Sequence, residues 1–216
     1  MKKIDIDSWA RKKSYLWFSK FSNPTYSLSA KIDITELMRV KNKYSRPFYE
    51  DMLYLTVKAL NDVPAMRQRV VGGEIIEYDV IDPSYTVALK DGLFDICRTK
   101  WNDNPEKFCA AVRRDIDNTV LAGGNKEFGD ENVDVYYFTC LPWIDFETMT
   151  NPIPDDVETL SIPRICWGKY VEKDGKYYLS MSIQVSHALV DGRPLCDAFA
   201  AIQNRVDNCE ELLNLK

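Results

Sequence analysis

The only histidine of this 216-residue chain, His187, lies in the segment SIQVSHALVDGRPLCDAF, four residues before Asp191. An imidazole has a near-neutral pKa, so one ring nitrogen can take a proton while a hydrogen bond on the other fixes the tautomer. His187 therefore has the chemistry of a general base. The same residues also fit a core histidine bonded to a backbone carbonyl, because H-x-x-x-D-G is a short pattern and an aspartate before a glycine is commonly a turn residue.

The segment ICWGKYVEKDGKYYLSMSIQVSH predicts two long strands that turn at Asp174 and Gly175. Side chains alternate between the faces of a strand, which puts His187 at the end of an apolar row. The other members of that row are Met181, Ile183 and Val185. His187 thus lies where a strand gives way to a loop, a place where side chains meet ligands. Pro194 is predicted to open a C-terminal helix just beyond it.

Other predicted elements alternate without a strict strand–helix order. SRPFYEDMLYLTVKALNDVP predicts a helix with Pro47 in its first turn, and Asn104 followed by Pro105 predicts the start of a second. Gly72 and Gly73 predict a hairpin, and strands are expected at 85–89 and in VDVYYFTCLPW. The predicted fold class is α+β or mixed α/β, with a mixed, largely antiparallel sheet packed by helices.

Composition narrows the classes of partner. The net charge is −5 and the basic residues are scattered, which argues against nucleic acid or an anionic membrane surface. The N-terminus MKKIDIDSWARKK lacks the apolar core of a signal peptide. The six cysteines form no C-x-x-C pair, and one histidine cannot complete a mixed ligand set, so no metal site is predicted. We expect one domain over residues 1–216, cytoplasmic, with mostly buried, reduced cysteines.

The segment QVSHALVDGRPLCDAF resembles the H-x-x-x-D-G segment of the chloramphenicol acetyltransferase family. The resemblance extends over nearly the whole chain in the order of that family. It is carried by IDIDSWARKKSYLWF, PTYSLSAKIDIT, LNDVPAMRQRVVGGEIIEYDVIDPSYTV, TCLPW and WGKY.

The resemblance implies a two-layer sandwich of the coenzyme A-dependent acyltransferase type and transfer of an acetyl group from acetyl-CoA to a hydroxyl, with chloramphenicol as the default acceptor. His187 matches the family's general base, worth roughly 10²–10⁴-fold in rate. Asp191 matches an aspartate that pairs with an arginine, here Arg11, in a buried structural pair. Thr139 replaces the serine whose hydroxyl stabilises the oxyanion.

The resemblance also assigns binding surfaces. Tyr170 and Trp143 match aromatic positions that line the coenzyme A channel, although either also fits a core position, and Tyr26 matches the acceptor side. The family is a homotrimer with active sites between subunits. Two further departures are Ser186, where the family often has a second histidine, and Cys166, where it often has threonine.

Three alternatives stay open at this point. An acyltransferase of the same fold could act on another hydroxylated acceptor. A dihydrolipoyl acyltransferase core also carries H-x-x-x-D-G, but no lipoyl domain or Ala/Pro linker precedes it in this sequence. A non-catalytic trimeric binding protein could have kept the fold and lost the activity, since Thr139, Cys166 and Ser186 all depart from the family pattern.

Overall fold

The computed structural model describes residues 1–124 and 132–215. Its helices are α1 (Lys12–Phe18), α2 (Thr35–Tyr44), α3 (Phe48–Asn61), α4 (Pro105–Ala122), α5 (Val157–Leu160), α6 (Gly192–Asp207) and α7 (Cys209–Leu212), with a 3-10 turn at Pro64–Arg67. Its strands are β1 (Lys2–Ile4), β2 (Thr25–Asp33), β3 (Gln68–Val71), β4 (Glu74–Glu77), β5 (Asp82–Ala88), β6 (Phe94–Arg98), β7 (Val135–Leu141), β8 (Arg164–Lys173) and β9 (Lys176–Ser186). None of the described helices is both long enough and apolar enough to cross a membrane.

The main sheet is mixed, and its strand order is β2-β9-β8-β7-β5-β6. Three neighbouring pairs are antiparallel, namely β2 with β9, β8 with β9, and β5 with β6. The strand β7 runs parallel to both of its neighbours, β5 and β8. A smaller antiparallel sheet has the order β1-β4-β3. The predicted α+β class with a mixed, largely antiparallel sheet is confirmed.

The two faces of the main sheet differ in chemistry. One face carries the apolar row of β9 that was predicted, Met181, Ile183 and Val185, which joins the hydrophobic core with α3 and α6. From residue 180 onward, the other face of β9 carries polar side chains that are buried, namely Ser180, Ser182, Gln184 and Ser186.

The polar face is covered by the connection between β7 and β8, residues 142–163, through hydrogen bonds. The Ser180 hydroxyl donates to Asp145 at 2.6 Å, and the Ser182 hydroxyl donates to the Met149 carbonyl at 3.0 Å. The Asn151 amide donates to Gln184 Oε1 at 2.8 Å. Since buried polar groups are costly unless they are hydrogen-bonded, this connection is fixed in register against β9.

Local signals predicted several boundaries. Asn104 caps α4 by accepting from the Lys107 amide, and Gly123 ends that helix with a φ of 71°. The hairpin joins β3 and β4 at Gly72 and Gly73, as expected. The prediction that Pro194 opens the C-terminal helix was wrong by two residues, because α6 begins at Gly192 with Asp191 in the N-cap position.

Candidate active site

His187 follows directly on β9, at the edge of the sheet. Its backbone amide donates to the Pro24 carbonyl at 2.8 Å, and its side chain is 34% exposed. Within the described residues, the buried Nδ1 atom has no hydrogen-bond partner, and it lies 3.4 Å from Asp191 Oδ1. A core histidine with Nδ1 bonded to a backbone carbonyl is therefore not what the structure shows. The ring is instead partly exposed to solvent and lies beside the Asp191 carboxylate.

Two aromatic rings hold the imidazole plane. The ring of Phe18, the last residue of α1, stacks on His187 with 3.9 Å between centroids and 12° between planes. Tyr26 on β2 packs beside it, with 4.7 Å between centroids and a 39° tilt. Burial raises the pKa of Tyr26 to about 12, so the phenol is neutral and packs as an aromatic wall. Tyr26 thus lies beside His187 within the same chain.

Phe18 was not singled out from the sequence. A physical signal was present, because Phe18 lies seven residues after Arg11, and residues seven apart share one face of a helix. Arg11 was assigned to the site, so the residue two turns later on the same face was a candidate contact. The sequence alone does not show that this face meets the loop after β9.

Arg11 and Asp191 form the pair that the resemblance implied. Arg11 donates from Nε and Nη2 to the two carboxylate oxygens at 2.8 and 2.7 Å. The same guanidinium donates to the carbonyls of Ala188 at 2.8 Å and His187 at 3.1 Å. These hydrogen bonds from Arg11 lower the pKa of Asp191. Arg11 therefore fixes the backbone of the loop that carries His187.

The expected burial of this pair was only half right. The Arg11 side chain is 16% exposed, but the Asp191 side chain is 39% exposed. Because the Asp191 carboxylate is partly exposed, the pair is weaker than a fully buried one. Its role is a local clamp rather than a core interaction.

Thr139 and Cys166 face each other across the parallel pair of β7 and β8, and Cys166 in turn faces Ser182 on β9. Thr139 is half-buried, and its hydroxyl makes no hydrogen bond to any described residue. Cys166 is buried, and burial raises its pKa to about 12, so the thiol is neutral. The Thr139 hydroxyl is available to donate to a bound group.

Trp143 lies in the turn after β7, and Tyr170 lies on the neighbouring strand β8. The Lys169 amide donates to the Ile144 carbonyl at 2.8 Å, which ties the turn after β7 to β8. A Cβ on Gly168 would lie 2.6 Å from that carbonyl oxygen, so only glycine allows this approach. Trp143 is 77% exposed and Tyr170 is 38% exposed. Neither ring is a core residue.

Four of the seven predicted site residues, Arg11, Tyr26, His187 and Asp191, form one group of contacting side chains. The other three, Thr139, Trp143 and Tyr170, lie on β7, in the turn after it and on β8. Thr139 is on the polar face of the sheet and Tyr170 is on the core face, opposite Leu179. Thr139 is level with Ser182 two strands away, and His187 lies five residues beyond Ser182. With about 4.8 Å between strands and about 3.3 Å per residue, the backbones of Thr139 and His187 are roughly 19 Å apart. One chain does not bring Thr139 and His187 together.

A cavity lies beside the His187 loop, between α1 and the connection that leads to β8. Its lining includes Ser19, Pro24, Leu160, Ser186 and Ala188. None of the predicted site residues lines it. Within the described residues, no cluster of three or more His, Cys, Asp or Glu side chains could hold a metal ion, and each of the six cysteines is free.

Comparison with known proteins agrees with the fold and the sequence pattern. The family model described as chloramphenicol acetyltransferase matches residues 1–203. The chloramphenicol acetyltransferase of Clostridium perfringens is 30% identical over 215 residues, covering 99% of this chain and 98% of that protein. The protein of the same name from Bacillus pumilus is 28% identical over 217 residues, covering 99% and 96%.

Solved structures share the fold. A chloramphenicol acetyltransferase superposes with a TM-score of 0.82 at 20% identity, over 95% of this chain and 100% of that chain. A dihydrolipoamide acetyltransferase from Azotobacter vinelandii superposes with a TM-score of 0.66 at 15% identity, over 94% and 88%. At these identities the structures show the coenzyme A-dependent acyltransferase fold alone. With the family match over residues 1–203, the chain belongs to the chloramphenicol acetyltransferase family and is an acyltransferase.

Proposed function

We propose that this protein moves an acetyl group from acetyl-CoA to a hydroxyl of a small acceptor, with both substrates bound together and His187 as general base. The observation that carries this proposal is the state of the His187 ring. Phe18 and Tyr26 hold its plane, Arg11 fixes its loop, and the side chain is 34% exposed at the end of a strand. A fixed and accessible imidazole has the geometry of a general base.

The burial of Nδ1 supports different roles for the two ring nitrogens. Because Nδ1 is buried 3.4 Å from the Asp191 carboxylate, a proton on Nδ1 is favoured electrostatically, and Nε2 is left to accept. Nε2 takes the proton of the acceptor hydroxyl as its oxygen attacks the thioester carbonyl. The tetrahedral intermediate then expels the coenzyme A thiolate, and the imidazolium returns the proton to that sulfur. No covalent acyl-enzyme is formed.

Thr139 is proposed as the donor to the oxyanion. Support comes from the Thr139 hydroxyl, which makes no hydrogen bond to any described residue. The neighbouring Cys166 thiol is neutral, so it adds no charge to the site. A donor of this kind matters when charge develops on the carbonyl oxygen, and removal of one typically costs about 10²–10³ in turnover.

Acetyl-CoA is the proposed co-substrate. The exposed rings of Trp143 and Tyr170 offer apolar faces to the adenine ring or the pantetheine arm. A base stacked on an aromatic side chain gains about 1–3 kcal/mol. Trp143 comes four residues after Thr139, just beyond the end of β7, so coenzyme A held by its ring would lie near Thr139.

The proposed assembly is a homotrimer with active sites between subunits. Support comes from the separation of roughly 19 Å between Thr139 and His187 in one chain. In a closed ring of copies, His187 of one subunit can lie against Thr139 of the partner subunit, so one site uses both residues. Exposed apolar side chains beside the His187 group, Trp17 at 59% and Phe21 at 47%, fit a covered surface. The six free cysteines support a cytoplasmic location.

Chloramphenicol is the default acceptor because the curated relatives carry its name. A thiol-release assay with acetyl-CoA tests the proposal, comparing chloramphenicol with other small alcohols. We expect acceptor-dependent release by the parent protein and its loss in His187→Gln. Binding of coenzyme A without release for any acceptor would instead indicate a binding protein that has lost the activity.

A further inference from the structure

Arg164, at the start of β8, is a buried cation without an acidic partner. Its residue is 6% exposed, and no carboxylate of the described residues lies within ion-pair distance of its guanidinium. Arg46 and Arg98 have such partners, Asp51 and Asp82, whereas the fully buried Arg69 has none among the described residues. Since burying a charge is costly without a counter-charge, the isolation of Arg164 calls for a reason.

The hydrogen bonds of Arg164 leave donors unused. Nη1 donates to the Ile162 carbonyl at 3.0 Å and Nη2 donates to the Thr159 carbonyl at 3.2 Å. A guanidinium has five N–H donors. By contrast, the fully buried Arg69 makes four bonds to carbonyls, each 2.7 or 2.8 Å long. Arg69 is a structural tie between segments, whereas Arg164 keeps donors for a further acceptor group.

The position of Arg164 connects it with the proposed reaction centre. Arg164 faces Tyr137 and Cys166 faces Thr139 in the register of β8 with β7, so the two pairs are adjacent rows on one face of the sheet. One strand across and two residues along, the backbones of Arg164 and Thr139 are about 8 Å apart. This spacing lies within one chain and does not depend on the assembly.

The Tyr137 ring lies beside the Arg164 guanidinium. The guanidinium carbon lies 5.5 Å from the centroid of the Tyr137 ring. A guanidinium that packs against an aromatic ring keeps the N–H groups along its edge free to donate. These N–H groups can bind a carboxylate through two parallel hydrogen bonds. The carboxylate that acts on the Arg164 charge through space belongs to Asp156. Asp156 is exposed and caps α5 by accepting a hydrogen bond from the Thr159 amide.

We propose that Arg164 is a specificity-determining residue and that the acceptor, in place of the default chloramphenicol, is a hydroxylated organic anion, with its carboxylate at one end and the hydroxyl that is acetylated at the other. The inference rests on the proposed function, because it takes Thr139 as the mark of the reaction centre. The carboxylate pairs with Arg164 while the hydroxyl lies near His187 of the partner subunit. A neutral acceptor leaves the guanidinium unpaired, which is how a site built for a polar group rejects an analogue that lacks it.

The test uses para-(hydroxymethyl)benzoate and its methyl ester, which differ in charge at one end. Thiol release from acetyl-CoA is measured for the parent, Arg164→Met and Arg164→Lys. We expect the parent to favour the acid over the ester by at least about tenfold in kcat/KM. Arg164→Met should lose at least about tenfold on the acid and keep or gain activity on the ester, whereas Arg164→Lys should retain part of the preference.

Arg114→Met is the matched control, because Arg114 is an exposed arginine on α4 and its loss changes the net charge equally. It should leave the acid-to-ester ratio unchanged. Equal use of acid and ester by the parent, or an equal loss on both in Arg164→Met, would overturn the inference. Release that still depends on His187 would in that case leave the proposed function standing.

Calorimetric measurement of para-(hydroxymethyl)benzoate binding distinguishes failure of the proposed function from failure of the inference about Arg164. Binding to the parent that is lost in Arg164→Met supports the inference even without thiol release, and then the proposed catalytic function fails alone. Absence of binding to the parent, together with release from chloramphenicol, contradicts the inference and supports the function.

Discussion

Arg11 and Asp191 are 180 positions apart, and two hydrogen bonds of 2.8 and 2.7 Å join the guanidinium to both carboxylate oxygens. The same guanidinium holds the carbonyls of His187 and Ala188. The start of α1 is thereby fixed to the loop after β9. The stack of Phe18 on His187 uses the other end of α1, so this one short helix both anchors the loop and orients the imidazole.

We expect Arg11→Met and Asp191→Asn each to lower stability by about 1.5–3 kcal/mol, the range for hydrogen bonds to charged groups. Each should also lower turnover, because the loop that carries His187 loses its clamp. The double variant should lose less than the sum of the single effects, since the two residues contact each other. Urea unfolding and thiol release measure both. Small additive losses would show that the pair does not hold the loop.

The contribution of this pair to stability depends on pH. Hydrogen bonds from Arg11 lower the pKa of Asp191 in the folded protein below its ordinary 3.8. A lowered carboxylate pKa stabilises the fold at every pH above the unfolded value, and the effect is lost as pH falls through the folded value. The difference in unfolding free energy between the parent and Asp191→Asn should therefore be present at about pH 5 and shrink as the pH falls below about 4. A difference that grows in acid would contradict this assignment.

Thr139 is tested by three substitutions of graded chemistry. Thr139→Ala and Thr139→Val both remove the hydroxyl, and Thr139→Val keeps the shape. Each should lower turnover by about 10²–10³ with little change in acceptor affinity, because the donor acts when charge develops. Thr139→Ser should keep or raise the rate, since the hydroxyl stays and the methyl goes. Full activity in Thr139→Val would place the oxyanion donor elsewhere.

Mixed oligomers test whether one site uses two chains. Chains with His187→Gln and chains with Thr139→Val should each be inactive alone. In a trimer that contains both kinds of chain, one interface pairs an intact His187 with an intact Thr139 of the partner subunit, which restores about a third of the sites. Activity that returns on co-refolding indicates shared sites. If mixing restores nothing although mixed trimers form, both residues act within one chain.

Local chemistry made part of the fold predictable. Asn104, Pro105 and Gly123 mark the two ends of α4 through capping alone, and the alternation on β9 correctly assigned Met181, Ile183 and Val185 to the core. These signals depend on neighbours within a few residues. The ends of strands and helices could therefore be predicted where a cap or a turn residue was present.

Long-range pairing was not predictable in the same way. The pairing of β2 with β9 brings Tyr26 opposite Val185, and the polar connection over β9 covers side chains that alternation places outside the core. The stack of Phe18 on His187 and the isolation of Arg164 depend on such contacts. The resemblance named Arg11, Thr139 and Asp191, but only the register of β7, β8 and β9 shows that Thr139 lies far from His187 in one chain.

The most direct test of the central claim is the turnover of His187→Gln with coenzyme A binding measured on the same sample. Glutamine keeps a polar side chain but cannot act as a base near neutral pH, and no other imidazole is present in the chain. We expect turnover to fall at least about a hundredfold while coenzyme A affinity stays within about twofold of the parent. Near-normal turnover in His187→Gln would contradict general-base catalysis by His187.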